Sequence, residues 1–272
     1  MTETANDSTV IEMRGVTAGS MKDPALTVAE GVDWTVKAGE FWVVAGAQRS
    51  GKTDFLMMAG GLMGPVTGTY RLYGEEMPIF EDDRLAERLR LGVVFDGGQL
   101  FNRLTIAENV ALPLRYHRGH DRENARAKTQ ALLTATNLKD LGDSRPTMLG
   151  RSLQKQAGLA RALALGPEVL LLDNPLSGVG PRHGIWWLRF LNDLVSGHEL
   201  MGGKPMTIIA TADDLRPWNG GRQQFALLSK NRFTVLGGWP EVDRSRDNAV
   251  QYLLRDRPIE KNEKEDPLSP TK

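Results

Sequence analysis

Between the apolar run FWVVAG (Phe41 to Gly46) and the helix-like segment KTDFLMMA (Lys52 to Ala59) lies GAQRSGKT, Gly46 to Thr53. A glycine-bearing turn that leaves a buried strand and opens a helix belongs to few architectures, and its spelling fits G-x-x-x-x-G-K-[ST]. By residue frequencies the spelling alone arises by chance in roughly one chain per hundred. The strand before it and the helix after it give it weight.

In such a loop the glycines let successive backbone N–H groups converge on phosphate oxygens at the positive end of a helix. Gly46, Ala47, Gln48, Arg49, Ser50, Gly51, Lys52, Thr53 and Asp54 are therefore the candidate nucleotide-binding residues. Lys52 would reach the outer phosphates and Thr53 would offer a hydroxyl to Mg2+. The run LLLD reads as a buried strand ending in Asp173, which would set a second oxygen donor for the same ion.

Apolar runs predict strands at Val10 to Val16, Val32 to Val36, Phe41 to Gly46, Thr69 to Gly74, Leu91 to Phe95, Val169 to Asp173, Thr207 to Thr211, Phe225 to Ser229 and Arg232 to Leu236. Lys230-Asn231 joins the last two as a hairpin. Helical spacing marks Lys52 to Ala59, the region near Glu81 to Arg90, Asp121 to Thr136 and Ser152 to Leu165. No strand is expected from Thr105 to Leu165. The expected fold is α/β, a mainly parallel sheet with both faces covered and a helical insert. In HGIWWLRFLNDL at least one of Trp186 and Trp187 belongs to the core.

Composition narrows the partners. Of 272 residues 40% are hydrophobic, enough for one sizeable core or a core with a subdomain. Lys plus Arg and Asp plus Glu both number 34, so global charge gives no argument for nucleic acid or an anionic membrane surface. The absence of cysteine removes disulfides and thiolate metal sites, and His117, His120, His183 and His198 lack ligand-like spacing. Neither a signal peptide nor an 18-residue apolar run is visible. The basic residues Arg115, His117, Arg118, His120 and Arg122 read as a solvated helix boundary.

Two longer segments carry a family resemblance. VVFDGGQLFNRLTIAENVALPL (Val93 to Leu114) is similar to VVFQ-x-x-x-LF-x-x-LT-x-x-ENVA-x-PL, and RSLQKQAGLARALALGPEVLLLDNPLSGVGP (Arg151 to Pro181) to a signature helix, Walker B strand and following loop. Over about Val10 to Leu254 the chain resembles the ATP-binding subunits of ABC transporters. ENVALPL and AGLARALAL are closest to the ATPases of MCE-type, Mla-like phospholipid transport. The resemblance implies a P-loop NTPase (RecA-like) core with an antiparallel β subdomain and an inserted α-helical subdomain at about 100–165. It also implies ATP and Mg2+ as cofactors, a second nucleotide-binding subunit in a homo- or heterodimer, an integral-membrane permease, and MCE-type lipid-binding proteins as further partners, with no nucleic acid. The chain would be cytoplasmic, on the inner face of the membrane through the permease. The nucleotide-binding domain would span 9–254, between a flexible start (1–8) and a disordered tail (255–272).

Set against that family, this chain departs at the reacting positions. Asp96 stands for a glutamine that touches magnesium and senses the attacking water; a carboxylate there is able to meet a magnesium shell, with Gln99 as the weaker stand-in. The signature LSGG-x corresponds to Leu149, Gly150, Arg151, Ser152 and Leu153, without its serine and first glycine. Arg151 would enter a space shaped for bare backbone. Asn174 replaces the glutamate that polarises water, and an amide cannot take the proton. Gly180 replaces an aspartate, and the switch histidine falls on Asp213, or on Ala212 in the other register. No aromatic for adenine stacking lies in Val16 to Leu26, where Met21 is the one large candidate. The expectation is nucleotide binding with weak or absent hydrolysis. The alternatives are a soluble pseudo-ATPase regulatory or assembly module, and an active ATPase in which Asp96 or Asp213 serves as the base.

Overall fold

The computed structural model describes residues 8–23, 25–76, 84–119 and 122–255. The expected flexible start and disordered tail, apart from Ser8 and Arg255, lie outside the described residues, as do 81–83 of the helix expected near Glu81 to Arg90. The chain divides into two compact units, Met1–Arg84 with Ile209–Lys272, and Leu85–Ile208.

In the first unit, β1 (Thr9–Gly19) pairs antiparallel with β2 (Thr27–Lys37) and β4 (Thr67–Leu72), and β4 pairs with the short β5 (Glu75–Glu76). This is the antiparallel β subdomain. The strand β3 (Phe41–Ala45) is buried at every residue, as its unbroken apolar sequence requires of a central strand. It lies parallel to β9 (Gln224–Ser229), with Val43 opposite Phe225. The order continues as β10-β9-β3-β8, where β8 is Thr207–Ala212 and β10 is Arg232–Gly237. Lys230 and Asn231 have φ of 50° and 58°, the left-handed pair that a tight two-residue hairpin demands.

The helix α1 (Lys52–Ala59) occupies the span its sequence predicts and is held by aromatic packing. Its Phe55 stacks on Phe233 of β10 at 4.9 Å, and both approach Trp34 of β2, at 5.7 and 5.2 Å. Tyr70 of β4 donates to the carbonyl of Ala59 at 2.8 Å. The helix that opens at the glycine loop is thereby fixed at both its middle and its end.

In the second unit, α2 (Leu85–Arg88) precedes β6 (Leu91–Val94), which runs parallel to β7 (Val169–Leu172) with Val93 opposite Leu171. Among the described residues the α-helices of the intervening sequence are α3 (Ile106–His117), α4 (Arg122–Ala135) and α5 (Arg151–Leu163). The first lies within the helical insert expected from the sequence and carries Pro113 inside its span. It starts on a capping box in which Thr105 and Glu108 satisfy each other's backbone N–H groups. After β7, α6 (Pro181–Ser196) buries Trp187 and leaves Trp186 half-buried, stacked on Phe190 at 5.1 Å. The first unit closes with α7 (Trp239–Arg244) and α8 (Asn248–Leu254). Among the described residues no helix is long and apolar enough to cross a membrane.

Candidate nucleotide site

The loop from Gly46 to Thr53 lies wholly in the first unit. Gly51 sits at φ 86°, where a Cβ would come 2.5 Å from Val28 Cγ1, so a glycine is required on both conformational and steric grounds. At Gly46 a Cβ would fall 2.5 Å from Ser50 Oγ and 2.6 Å from the Leu228 carbonyl. Arg49 takes φ 62° and points to solvent, with Gln48 also exposed. The buried Lys52 donates from Nζ to the carbonyls of Gly46 (2.6 Å) and Ala47 (2.5 Å), curling the loop around its own ammonium.

The N-cap of α1 is Gly51, which brings no side-chain acceptor of its own to the positive end of the helix. The glycine positions that a Cβ would fill, the lysine and this helix end together fit a polyphosphate. The exposed Thr53 hydroxyl is a hard oxygen donor of the kind magnesium takes, and so is the buried Asp173 carboxylate at the end of β7 in the second unit. Asp54 accepts from the Met21 backbone N–H at 3.2 Å, tying the exposed Met21 to the first turn of α1. The Gly46 N–H donates to the Ala212 carbonyl at 3.0 Å, so the end of β8 touches the first residue of the loop and Asp213 follows directly.

The second unit gathers the remaining candidates. Asp96 carries an ion pair on each oxygen: Oδ2 accepts from Arg151 at 2.7 Å, and Oδ1 lies 2.8 Å from Lys155 Nζ, off the axis of a regular hydrogen bond. Arg151 therefore turns its side chain back to Asp96. Gly150 caps α5 and is exposed, Leu149 is buried, and Ser152 and Leu153 are half-buried. Asn174 takes φ 46°, a left-handed conformation that asparagine populates more readily than most residues. Gly180 is exposed at the start of α6.

Lys155 and Arg161 escaped the reading of the sequence. Arg151 and Lys155 are four apart on a helix and so share a face, and opposite charge at Asp96 was the available signal. Arg161 donates to the carbonyls of Gly98 (2.9 Å) and Gln99 (2.8 Å), and its guanidinium pKa is lowered by burial. Asn109, also unremarked, is fully buried and bonds both ways with the Phe101 backbone while donating to Thr105, shaping the turn before α3.

Residues 29–177, more than half of the chain, match the family described as ABC transporter. The chain belongs to the ABC transporter family. This ABC transporter chain is 32% identical over 197 residues to the macrolide export ATP-binding/permease protein MacB of Nitrosomonas europaea, a match over 71% of this chain and 30% of that one. It is also 32% identical over 197 residues to the pyoverdine export ATP-binding/permease protein PvdT of Pseudomonas syringae pv. tomato, again over 71% and 30%. The chain spans about 30% of the length of these curated relatives. Among solved structures, the dimeric ATP-binding cassette MJ0796, in a post-hydrolysis state bound to ADP and Pi, superposes with a TM-score of 0.72 at 26% identity, over 84% of this chain and 100% of that one. The fold of this ABC transporter chain is accordingly a P-loop NTPase core with an antiparallel β subdomain and inserted helices.

Proposed function

We propose that this chain is the ATP-binding subunit of a transporter, holding MgATP on the Gly46–Asp54 loop and hydrolysing it weakly or not at all. The contrast that carries the reading is between a loop in which Gly46 and Gly51 leave no room for a Cβ around the buried Lys52, and Asn174, an amide in the position after Asp173. Thr53 would offer its hydroxyl to the magnesium, which supplies charge neutralisation to the phosphates, and Asp173 is the second oxygen donor expected from the sequence. Lys52 would exchange the Gly46 and Ala47 carbonyls for phosphate oxygens.

The loss of a proton acceptor at Asn174 is accompanied by Asp213 in place of the switch histidine and Gly150-Arg151 in place of the signature serine and glycine. Asp96 is engaged by two cations, which weighs against the rearranged-carboxylate alternative at that residue. The subunit would pair with a second nucleotide-binding subunit and a permease at the inner face of the membrane. Support for a permease partner comes from the relatives, whose names join ATP-binding and permease in one protein. Phospholipid cargo through an MCE-type system rests on ENVALPL and AGLARALAL alone, and export of the kind named for MacB and PvdT is the competing cargo reading. Equilibrium binding of a fluorescent ATP analogue to the intact chain tests the first half of the proposal. Binding that depends on Mg2+ and is lost in Lys52→Ala is expected, and Lys52-independent binding contradicts it.

A further inference from the structure

The group of charges around Asp96 lies entirely within the second unit and joins three separate stretches of chain. Lys155 has 1% of its side chain exposed, and a buried ammonium is costly without an anionic partner. Its Nζ is 2.8 Å from Asp96 Oδ1 and donates to the carbonyls of Asn174 at 2.8 Å and Ser177 at 2.7 Å. Those two carbonyls are dipoles, so Asp96 is the formal counter-charge in this set.

The loop that carries Asp96 is not free to leave. Gly98, at φ 78°, packs so closely on α5 that a Cβ would meet the Gln154 carbonyl carbon at 2.8 Å, and a Cβ on Gly158 would come 2.8 Å from Gly98 Cα. Arg161 fastens the Gly98 and Gln99 carbonyls from the same helix. Backbone packing and three cations thus hold residues 96–99 on one face of α5.

We infer that Asp96 is a positioning residue: by neutralising buried Lys155 it lets that ammonium clamp the Asn174 and Ser177 carbonyls, and so sets the turn from which the side chain at 174 projects. It is then neither a magnesium ligand nor a general base. A glutamine at 96 would leave Lys155 without its anion, so the aspartate at 96 and the lysine at 155 form a coupled pair. The inference deepens the proposed function and rests on it only where nucleotide is used.

The test combines amide hydrogen exchange of the intact, nucleotide-free chain with Mg2+ titration of nucleotide binding. Asp96→Asn and Lys155→Met should each speed exchange at 174–179 by about tenfold, the double variant should exceed Lys155→Met by little, and Asp96→Glu should restore slow exchange. Asp96→Asn should leave the Mg2+ concentration required for nucleotide binding within about threefold of its original value, whereas losing a carboxylate from the ion's own ligand set would raise it by on the order of tenfold or more. Unchanged exchange at 174–179 in Asp96→Asn, or the larger Mg2+ shift, overturns the inference. If Lys155→Met does not fold, the comparison of Asp96→Asn with Asp96→Glu decides it. Failure of the unaltered chain to bind nucleotide counts against the proposed function, and the exchange measurements still decide the clamp.

Discussion

Asn174 holds its backbone at φ 46° with its carbonyl 2.8 Å from the Lys155 ammonium. Two demands meet at this residue. The conformation favours asparagine over glutamate, because a longer side chain lacks the local hydrogen bonding that makes the left-handed region tolerable. In the proposed reading the amide also stands where water activation would need a proton acceptor.

Asn174→Glu should therefore destabilise the chain by about 1 kcal/mol and restore little turnover, since Asp213 and Arg151 remain. Denaturant melts and phosphate release on the same preparation check both halves. Strong activity from this single change would show that the other substitutions are tolerated.

Gly158 offers a test of sign. Alanine is favoured over glycine inside a helix by about 1 kcal/mol. Here a Cβ would sit 2.8 Å from Gly98 Cα and 3.0 Å from the Gly98 carbonyl oxygen, both backbone atoms that cannot easily yield. Gly158→Ala should therefore lower stability, by roughly 1–3 kcal/mol in denaturant melts. A gain in stability would mean that the contact relaxes.

Much of this was legible where the determining contacts are local. The strand, loop and α1 are consecutive in sequence, and the hairpin at Lys230-Asn231 needs only two residues with positive φ. The helix α3 was legible only as part of the helical insert, without bounds of its own, and nothing after Leu236 signalled α7 and α8, which are only six and seven residues long. The role of Lys155 depends on Asp96 and on carbonyls near 174, nearly 60 residues from one end of the set and about 20 from the other. Such a contact has no periodicity to betray it.

Gly51→Ala should abolish binding of the ATP analogue and cost roughly 1–3 kcal/mol, because φ 86° is strained for alanine and its Cβ would meet Val28. Adding Val28→Ala relieves the clash and leaves the conformational strain, so the double variant should recover stability only in part. Full recovery of binding would show that the left-handed backbone is not required.

Tyr70 predicts a loss of stability in alkali. Burial, with a smaller contribution from Tyr73, pushes its phenol well above the usual value of about 10. Above that pH the unfolded chain releases the proton while the folded chain keeps it, so the folded state loses about 1.4 kcal/mol per pH unit from this group. Tyr70→Phe should flatten that part of the profile while costing about 1 kcal/mol below it through the lost bond to Ala59. Chemical denaturation from pH 8 to 11 gives the comparison, and an unchanged slope in Tyr70→Phe would assign the alkaline loss elsewhere.

Phosphate release at steady state by the unaltered chain and by Lys52→Ala, with ATP binding measured on the same samples, separates holding nucleotide from consuming it. Lys52-dependent MgATP binding should be accompanied by phosphate release that is near background and differs little between the two proteins. Robust turnover that disappears with Lys52 would contradict weak hydrolysis.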